Sequence, residues 1–269
     1  MVRAWASNNR AISLWVTIKC KDKKRFCVYA KDGGKGKDGR VRANSKYVNR
    51  EIEVEGERTI FLSFPITPKA MLVGVVNVNN RQDNDFEVTF EEKPLKTYII
   101  ATDSDTREFL QLCFYFCQTC GFTQALKEGK MYKTDDDKFH IKYYPKIIDF
   151  MSGQALNTPA RIGHNTGNID VSKEKFDGYT FAQRVIIMLH EFSHKYRNPK
   201  LGLAIENEIG ADINALYIYL GMGFSKVDAI YVFMNVFLKA QSQGNIERSR
   251  KIMDYIQRFE AGEYAQVNN

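Results

Sequence analysis

The sequence has little cysteine and no long apolar run. Five cysteines, an odd number, are scattered through a chain of 269 residues, which excludes the dense, even disulfide framework of a small secreted scaffold and favours reduced thiols. The longest apolar stretches, such as AMLVGVVNV and RVIIMLH, fall well short of the roughly 20 residues of a membrane helix. The N-terminus lacks the apolar block of a signal peptide, so we expect a cytoplasmic protein without membrane contact.

The sequence also lacks a strand-to-helix GKS/T signature, which excludes a nucleotide-binding P-loop. Residues 1–98 hold 19 basic and 12 acidic residues, whereas residues 99–269 hold 20 of each. The whole excess of positive charge therefore lies in the N-terminal part, which favours two units with different surfaces. We expect the basic part to dock a protein partner or an acidic surface.

The periodicity of the apolar residues changes near residue 98. Before it, short Val-, Ile-, Phe- and Thr-rich runs with alternating polarity predict antiparallel strands in a β-sandwich or barrel. After it, the period becomes about 3.6, with strands expected in KFHIKYYPKIIDF and GNIDVSKEKF. The predicted class is α+β, with a basic β-rich domain over 1–98 and a second domain, a small mixed sheet plus helices, over 99–269.

Five helices are predicted from apolar periodicity and end signals. The first is DSDTREFLQLCFYFCQTC, with Asp or Ser at its start and Gly121 after it. The others span roughly 180–197, 203–220, from Ser225 to near Gly244, and about 245–260.

The run IIMLHEFSHKY contains the most informative motif. His190 and His194 lie four residues apart in a strongly helical segment, so both side chains project from one face. Two imidazole nitrogens at that spacing can bind one Zn²⁺ at about 2.0–2.1 Å each. Glu191 lies about 100° around the helix, where it can act as general base on a water at the metal. We therefore expect one zinc ion per chain.

A catalytic zinc needs a third protein ligand and an open position. AIENEIGADINAL offers Glu208, and Asp212 follows four residues later on the same helical face, where it can accept the N–H of a ligating histidine. Glu206 lies two residues from Glu208 and points to nearly the opposite side. Glu208 is preferred because it has Asp212 as a partner.

HEFSH, with NEIGAD downstream and GNIDV upstream, resembles the gluzincin branch of the zincin metallopeptidases. The resemblance covers about residues 99–225. It implies a zincin-like domain, zinc ligation by His190, His194 and Glu208, Glu191 as catalytic base, and Asp212 behind the ligands. It further implies hydrolysis of peptide bonds in a peptide or protein substrate.

The sequence leaves two features of such a site undecided. The oxyanion donor has four candidates, Tyr196, Tyr217, Tyr219 and His164. The strand-like segment before the metal helix is a candidate edge strand, which would hold an extended peptide by β-augmentation.

Other interpretations use the same residues differently. A zincin-like domain can act as a structural scaffold, and the overall organisation is loosely similar to virion or tail components of tailed phages, including crAss-like phages, with homo-oligomers expected. A repressor-cleaving peptidase similar to the ImmA type is a third hypothesis. Cys113, Cys117 and Cys120 have the spacing of an iron–sulfur motif, but the same spacing marks the buried face of a helix, which we favour.

Overall fold

The computed structural model describes residues 1–34, 46–198, 208–239 and 242–268. These residues form two compact units. Unit 1 comprises residues 1–96 with 223–225, and unit 2 comprises residues 97–222 with 226–269. The predicted domain boundary at residue 98 remains a prediction. Glu206 and the start of the helix expected over 203–220 lie outside the described residues.

Unit 1 is a five-stranded antiparallel sheet. Its strands are β1 (Val2–Trp5), β2 (Ile12–Asp32), β3 (Lys46–Phe64), β4 (Met71–Asn77) and β5 (Glu87–Lys93). β2 and β3 pair along nearly their whole length, from Ile12 opposite Phe64 to Lys31 opposite Lys46. The other edge of β2 is shared, since β5 pairs with residues 13–19 and β4 with residues 26–32.

Alternation along β2 explains this sheet. The even-numbered residues Leu14, Val16 and Ile18 are buried, and so are Phe26, Val28 and Ala30. The register between β2 and β3 shifts between Cys20 and Lys24, where the extra residues allow the long hairpin to bend. Each half of the hairpin thus buries the same face of the strand.

The predicted α+β class is confirmed. The five strands of unit 1 belong to one hydrogen-bonded sheet, with the order β1-β4-β2-β3 and β5 beside β2. Among the described residues they form neither the two separate sheets of a sandwich nor a closed ring of strands. β2 is long enough to pair along one edge with two different strands, so β4 and β5 join the same sheet.

Unit 2 contains the remaining strands and all the helices of the described chain. The strands are β6 (Thr97–Ile99), β7 (Lys130–Lys133), β8 (His140–Tyr144), β9 (Ala160–Ile162), β10 (Ile169–Ser172) and β11 (Gln266–Asn268). The helices are α1 (Ser104–Thr119), α2 (Lys173–Phe176), α3 (Phe181–Ser193), α4 (Glu208–Gly221), α5 (Lys226–Val232) and α6 (Gln243–Glu260). A π-helical turn, Phe233–Phe237, follows α5.

The small mixed sheet has the order β7-β8-β10-β9. β10 runs parallel to β8 and antiparallel to β9, so it is flanked on both sides. The expectation that GNIDV supplies an exposed edge is therefore wrong, because β9 takes that position. The last four residues of GNIDVSKEKF also form the short helix α2 instead of continuing the strand.

The helices begin at polar caps. Asp103 accepts the N–H of Thr106 at the start of α1, and Thr180 with Gln183 forms a complete capping box at the start of α3. All thirteen residues of α3 are buried, which makes it the central helix of unit 2. Within the described residues, no helix combines the length and apolarity needed to cross a bilayer.

Candidate metal centre

The C-terminal turn of α3 carries the histidines. His190 is in the last turn of the helix and 2% exposed, and His194 is its C-terminal cap with a helical φ of −65°. The helical backbone thus continues through His194, which keeps the two rings one turn apart. Their Nε2 atoms face each other at 3.1 Å.

Glu208 completes a group that could hold a metal ion. Its carboxylate lies at the start of α4, with Oε2 3.5 Å from Nε2 of His190 and Oε1 3.6 Å from Nε2 of His194. A tetrahedral ion with ligand bonds of about 2.0–2.1 Å separates its ligand atoms by about 3.3 Å. The Nε2–Nε2 separation of 3.1 Å is close to that value, and each histidine lies 3.5 or 3.6 Å from one of the two Glu208 oxygens. These three residues could therefore hold one ion.

The spacing between α3 and α4 is fixed by a buried amide. Asn214 on α4 donates to Oγ of Ser193 at 2.8 Å and accepts the N–H of Asn198 at 2.9 Å. Ser193 and Asn214 are essentially inaccessible to solvent. Because Ser193 directly precedes His194, this contact sets the distance between the histidines and the helix that carries Glu208.

Behind the ligands lies a buried charge network. Asp212 is fully buried, with Oδ1 2.9 Å from Nδ1 of His190, although this contact falls outside the geometry of a linear hydrogen bond. Arg248 on α6 binds both oxygens of Asp212, and its Nη2 also lies 3.0 Å from Oε2 of Glu208. Burial by itself raises the pKa of Asp212, but the hydrogen bonds from Arg248 and the close approach of the His190 ring outweigh that effect, so the net shift of the pKa is downward. Asp212 is therefore held as a carboxylate.

The pKa of His194 is lowered, first by partial burial and then by the neighbouring His190. A lowered pKa keeps the imidazole neutral, which is the form that ligates metals.

Arg248 was not anticipated from the sequence. The buried positions of α6 are Arg248, Ile252, Tyr255, Ile256 and Phe259. An arginine within this apolar stripe of an amphipathic helix is the one signal that could have identified it, because a charge on the buried face needs a buried partner.

Glu191 points away from solvent and is 7% exposed. One oxygen, Oε2, accepts the N–H of Ile162 on β9 at 2.9 Å. Burial raises the pKa of Glu191 to about 7. The group is thus poised between its acid and base forms near neutral pH, as an acid–base catalyst requires.

A cleft of about 540 Å³ opens beside the ligands. It is lined by His164, His194, Glu208, Ile209, Gly244, Asn245 and Arg248. His194 and Glu208 thus face a space large enough for part of a peptide, while His190 lies behind them against the ring of Phe237, with 4.1 Å between the ring centroids. The metal group is closed on one side by the protein and open on the other.

The oxyanion-donor candidates lie in different places. His164 lines the cleft. Tyr217 is buried and its hydroxyl accepts the N–H of Ala101 at 2.7 Å, and Tyr219 is fully buried. Tyr196 stacks on Phe192 with ring centroids 4.9 Å apart. Of the four, His164 is the one found in the lining of the cleft.

The cysteines of α1 and the turn after it contribute to the core of unit 2. Cys113, Cys117 and Cys120 are each 0% exposed, and Sγ of Cys113 lies 3.9 Å from Sγ of Cys117. Burial raises the pKa of Cys120 to about 12. These thiols are buried packing groups, as the buried-face interpretation predicts.

Comparisons with protein-family models, with curated proteins and with solved structures found no match to this chain. The described residues establish that His190, His194 and Glu208 form a group that could hold a metal ion. His190 is buried, and His194 and Glu208 face a cleft.

Proposed function

We propose that this chain is a zinc-dependent peptidase. The observation that supports the proposal is that His190, His194 and Glu208 each bring one ligand atom within 4.8 Å of the other two, and that His194 and Glu208 border an open cleft. A structural zinc site is closed by four protein ligands, whereas a catalytic site keeps a position for water or substrate. A group of three ligands that borders a cleft has the form of a catalytic site.

Zinc is the ion that this donor set suits best. Two neutral imidazoles and one carboxylate are ligands typical of catalytic zinc, and magnesium or calcium would prefer oxygen donors alone. Asp212 behind His190 matches the carboxylate–histidine pairing that orients metal-bound imidazoles. Zinc in such a site supplies Lewis-acid chemistry, lowering the pKa of a water to about 7 and polarising a carbonyl.

Glu191 carries the proton in the proposed reaction. Its Oε2 is held by the N–H of Ile162, which leaves Oε1 to take a proton from the attacking water. The carboxylic acid then returns that proton to the nitrogen of the departing amine as the peptide C–N bond breaks. The overall reaction consumes one water and leaves a new carboxyl and a new amino terminus, with Glu191 back in its starting form.

The edge of the small sheet suggests how the substrate lies. The N–H of Ile162 that reaches Glu191 is on the outer side of β9, since β10 occupies the other side. A substrate in extended form that pairs with the outer edge of β9 would therefore pass next to the general base.

Elemental analysis of protein purified without chelator tests the metal site. We expect one zinc per chain in the wild type and in Glu191→Gln, and none in His194→Ala. Absence of bound metal from wild-type protein supplied with zinc would overturn the proposal.

A peptide-library cleavage assay on the same samples tests the reaction. The wild type should cut, and Glu191→Gln should retain its zinc and lose activity by a factor of about 10²–10⁴. Removing zinc with a chelator should abolish cleavage and restoring zinc should recover it. Equal cleavage by Glu191→Gln and wild type would contradict the assignment of Glu191.

A further inference from the structure

The N-terminus of α6 forms one wall of the cleft, through Gly244 and Asn245. Ser242 caps the helix by accepting the N–H of Asn245 at 3.2 Å, and its carbonyl accepts the N–H of Ile246. The earlier N–H groups of a helix have no intrahelical partner, and the helix dipole makes this end electropositive. A Cβ added at Gly244 would meet no atom of the described chain within 4 Å, so the space in front of this turn is open.

Arg248 provides a second and independent donor at the same wall. It lies one turn further along α6, is 7% exposed and borders the cleft. Its Nε and Nη2 are engaged by Asp212 and Glu208, while Nη1 has no partner among the described residues. Because this guanidinium is nine-tenths buried and held by two carboxylates, the N–H groups of Nη1 keep a constant orientation.

The hydrogen-bond donors of the cleft wall suit an anion. Of the lining residues within the described part of the chain, Glu208 is the only acid, and a bound metal would occupy its carboxylate. Among the described residues, what then remains on the wall is the guanidinium of Arg248, the imidazole of His164 and the electropositive end of α6. Each of these can donate a hydrogen bond.

We propose that this wall binds a carboxylate of the substrate, so that the enzyme prefers peptides with an acidic side chain or a free C-terminus beside the cleaved bond. The inference deepens the proposed peptidase function and rests on it. A carboxylate held by Arg248 and the first turn of α6 lies in the same cleft as His194 and Glu208, so it anchors the peptide next to the reacting carbonyl.

Gly244 allows a test that spares both the fold and the metal ligands. Gly244→Asp puts a carboxylate into the open space at the start of α6, where an acidic residue also suits the helix dipole. Gly244→Asn is the matched control, with nearly the same shape and no charge. Both variants should bind one zinc per chain, and this is measured first.

Hippurate and its amide analogue hippuramide serve as probes, with binding to zinc-loaded protein measured by calorimetry. We expect the wild type and Gly244→Asn to prefer hippurate, and Gly244→Asp to bind hippurate about tenfold more weakly than Gly244→Asn with hippuramide unchanged. Equal binding of the two probes to the wild type would overturn the inference. Equal binding of hippurate to the two variants would do the same, because the metal alone would then account for it.

Peptides in four forms separate the two sources of the carboxylate. They carry Glu or Gln beside the cleaved bond, each with a free or an amidated C-terminus. Loss of cleavage on amidation identifies the terminal carboxylate, and loss on replacing Glu by Gln identifies the side chain. If cleavage depends on neither change, the inference is overturned. Zinc binding and cleavage would in that case still support the peptidase proposal. If the wild type binds no zinc, that proposal fails, and hippurate binding by the metal-free variants still tests the carboxylate site.

Discussion

Arg248 binds both carboxylate oxygens of Asp212 inside the protein, with Nη2 2.7 Å from Oδ1 and Nε in contact with Oδ2. The same Oδ1 lies 2.9 Å from Nδ1 of His190. A helix from the C-terminal end of the chain thereby acts on a histidine of α3 through one buried carboxylate. Because the His190 ring is 2% exposed, we expect this connection to orient it.

Asp212→Asn should weaken zinc binding by about 10–100-fold, because the amide cannot supply the negative charge that supports His190. It should also lower the free energy of unfolding of metal-free protein by about 3–5 kcal/mol, since Arg248 is left buried without a full counter-charge. A competition assay with a zinc-binding dye measures the first effect and urea unfolding the second. Asp254→Asn, an exposed acid on α6, is the control and should change neither. Unaltered zinc affinity in Asp212→Asn would show that Asp212 does not orient His190.

Asp83 in unit 1 should make stability depend on pH. It accepts hydrogen bonds from Lys24 at 2.9 Å, from the N–H of Asp85 at 2.9 Å and from Asn77 at 2.7 Å, and these lower the pKa of Asp83 to about 2. A carboxyl whose pKa is lower in the folded state adds stability above its unfolded pKa of about 3.9, and that stability is lost as pH falls toward 2.

Urea unfolding of wild type and Asp83→Asn between pH 7 and pH 2 checks this. The wild type should be the more stable protein at pH 7, and the difference should shrink between about pH 4 and pH 2. A difference that stays constant over this window would mean that the Asp83 charge does not contribute.

Arg184 should be a major contributor to the stability of unit 2. It is 2% exposed and donates to three backbone carbonyls, those of Phe176, Cys117 and Asp177, each at 3.2 Å. It thus satisfies carbonyls at the C-terminal ends of α1 and α2. Arg184→Met should lower the free energy of unfolding by about 3–5 kcal/mol, since buried carbonyls lose their donors.

Urea unfolding measures this effect, with the exposed Arg107→Met on α1 as control. Arg107 also donates to a backbone carbonyl, that of Thr102, but at the surface, where water replaces the lost donor. Equal destabilisation by the two substitutions would contradict the role assigned to Arg184.

The cysteines should differ in reactivity. Cys27 is partly accessible, whereas Cys113, Cys117 and Cys120 are completely buried. Burial raises the pKa of Cys27 as it does those of Cys117 and Cys120, so access to the reagent is what distinguishes Cys27. In native protein at pH 8, iodoacetamide should modify Cys27 and leave the other three unmodified, and all five should react in denaturant. Peptide mass spectrometry identifies the sites. Rapid modification of Cys113 or Cys117 in native protein would contradict the buried packing.

Local signals predicted the helices with strong patterns. The cap of α1, predicted as Asp or Ser, is Asp103. α6 begins two residues before the predicted position and ends at Glu260 as expected. The predicted end of α3 at residue 197 was less accurate, since the helix ends at Ser193. Asn214 on another helix accepts the N–H of Asn198 and so competes with helical hydrogen bonding there, which no local pattern reveals.

Short strands were the hardest elements to predict. β9 has three residues, too few for an alternation to be recognised, and yet it supplies the sheet edge and the N–H that binds Glu191. GNIDV was assigned to that edge because it precedes α3 in the chain. The parallel pairing of β10 with β8 places it inside the sheet instead.

The sequence alone determined which candidate ligands share a helix face. His190 with His194, and Glu208 with Asp212, are each four residues apart, and a period of 3.6 residues then directs each pair to one side of its own helix. The tertiary structure decided what those faces meet. Asn214 joins α4 to α3, and Arg248 binds Asp212. Ile162 donates its N–H to Glu191, and an open cleft lies in front of His194. The physical reason is that periodicity defines directions about a single helix axis, whereas distances between helices depend on packing among residues far apart in the chain.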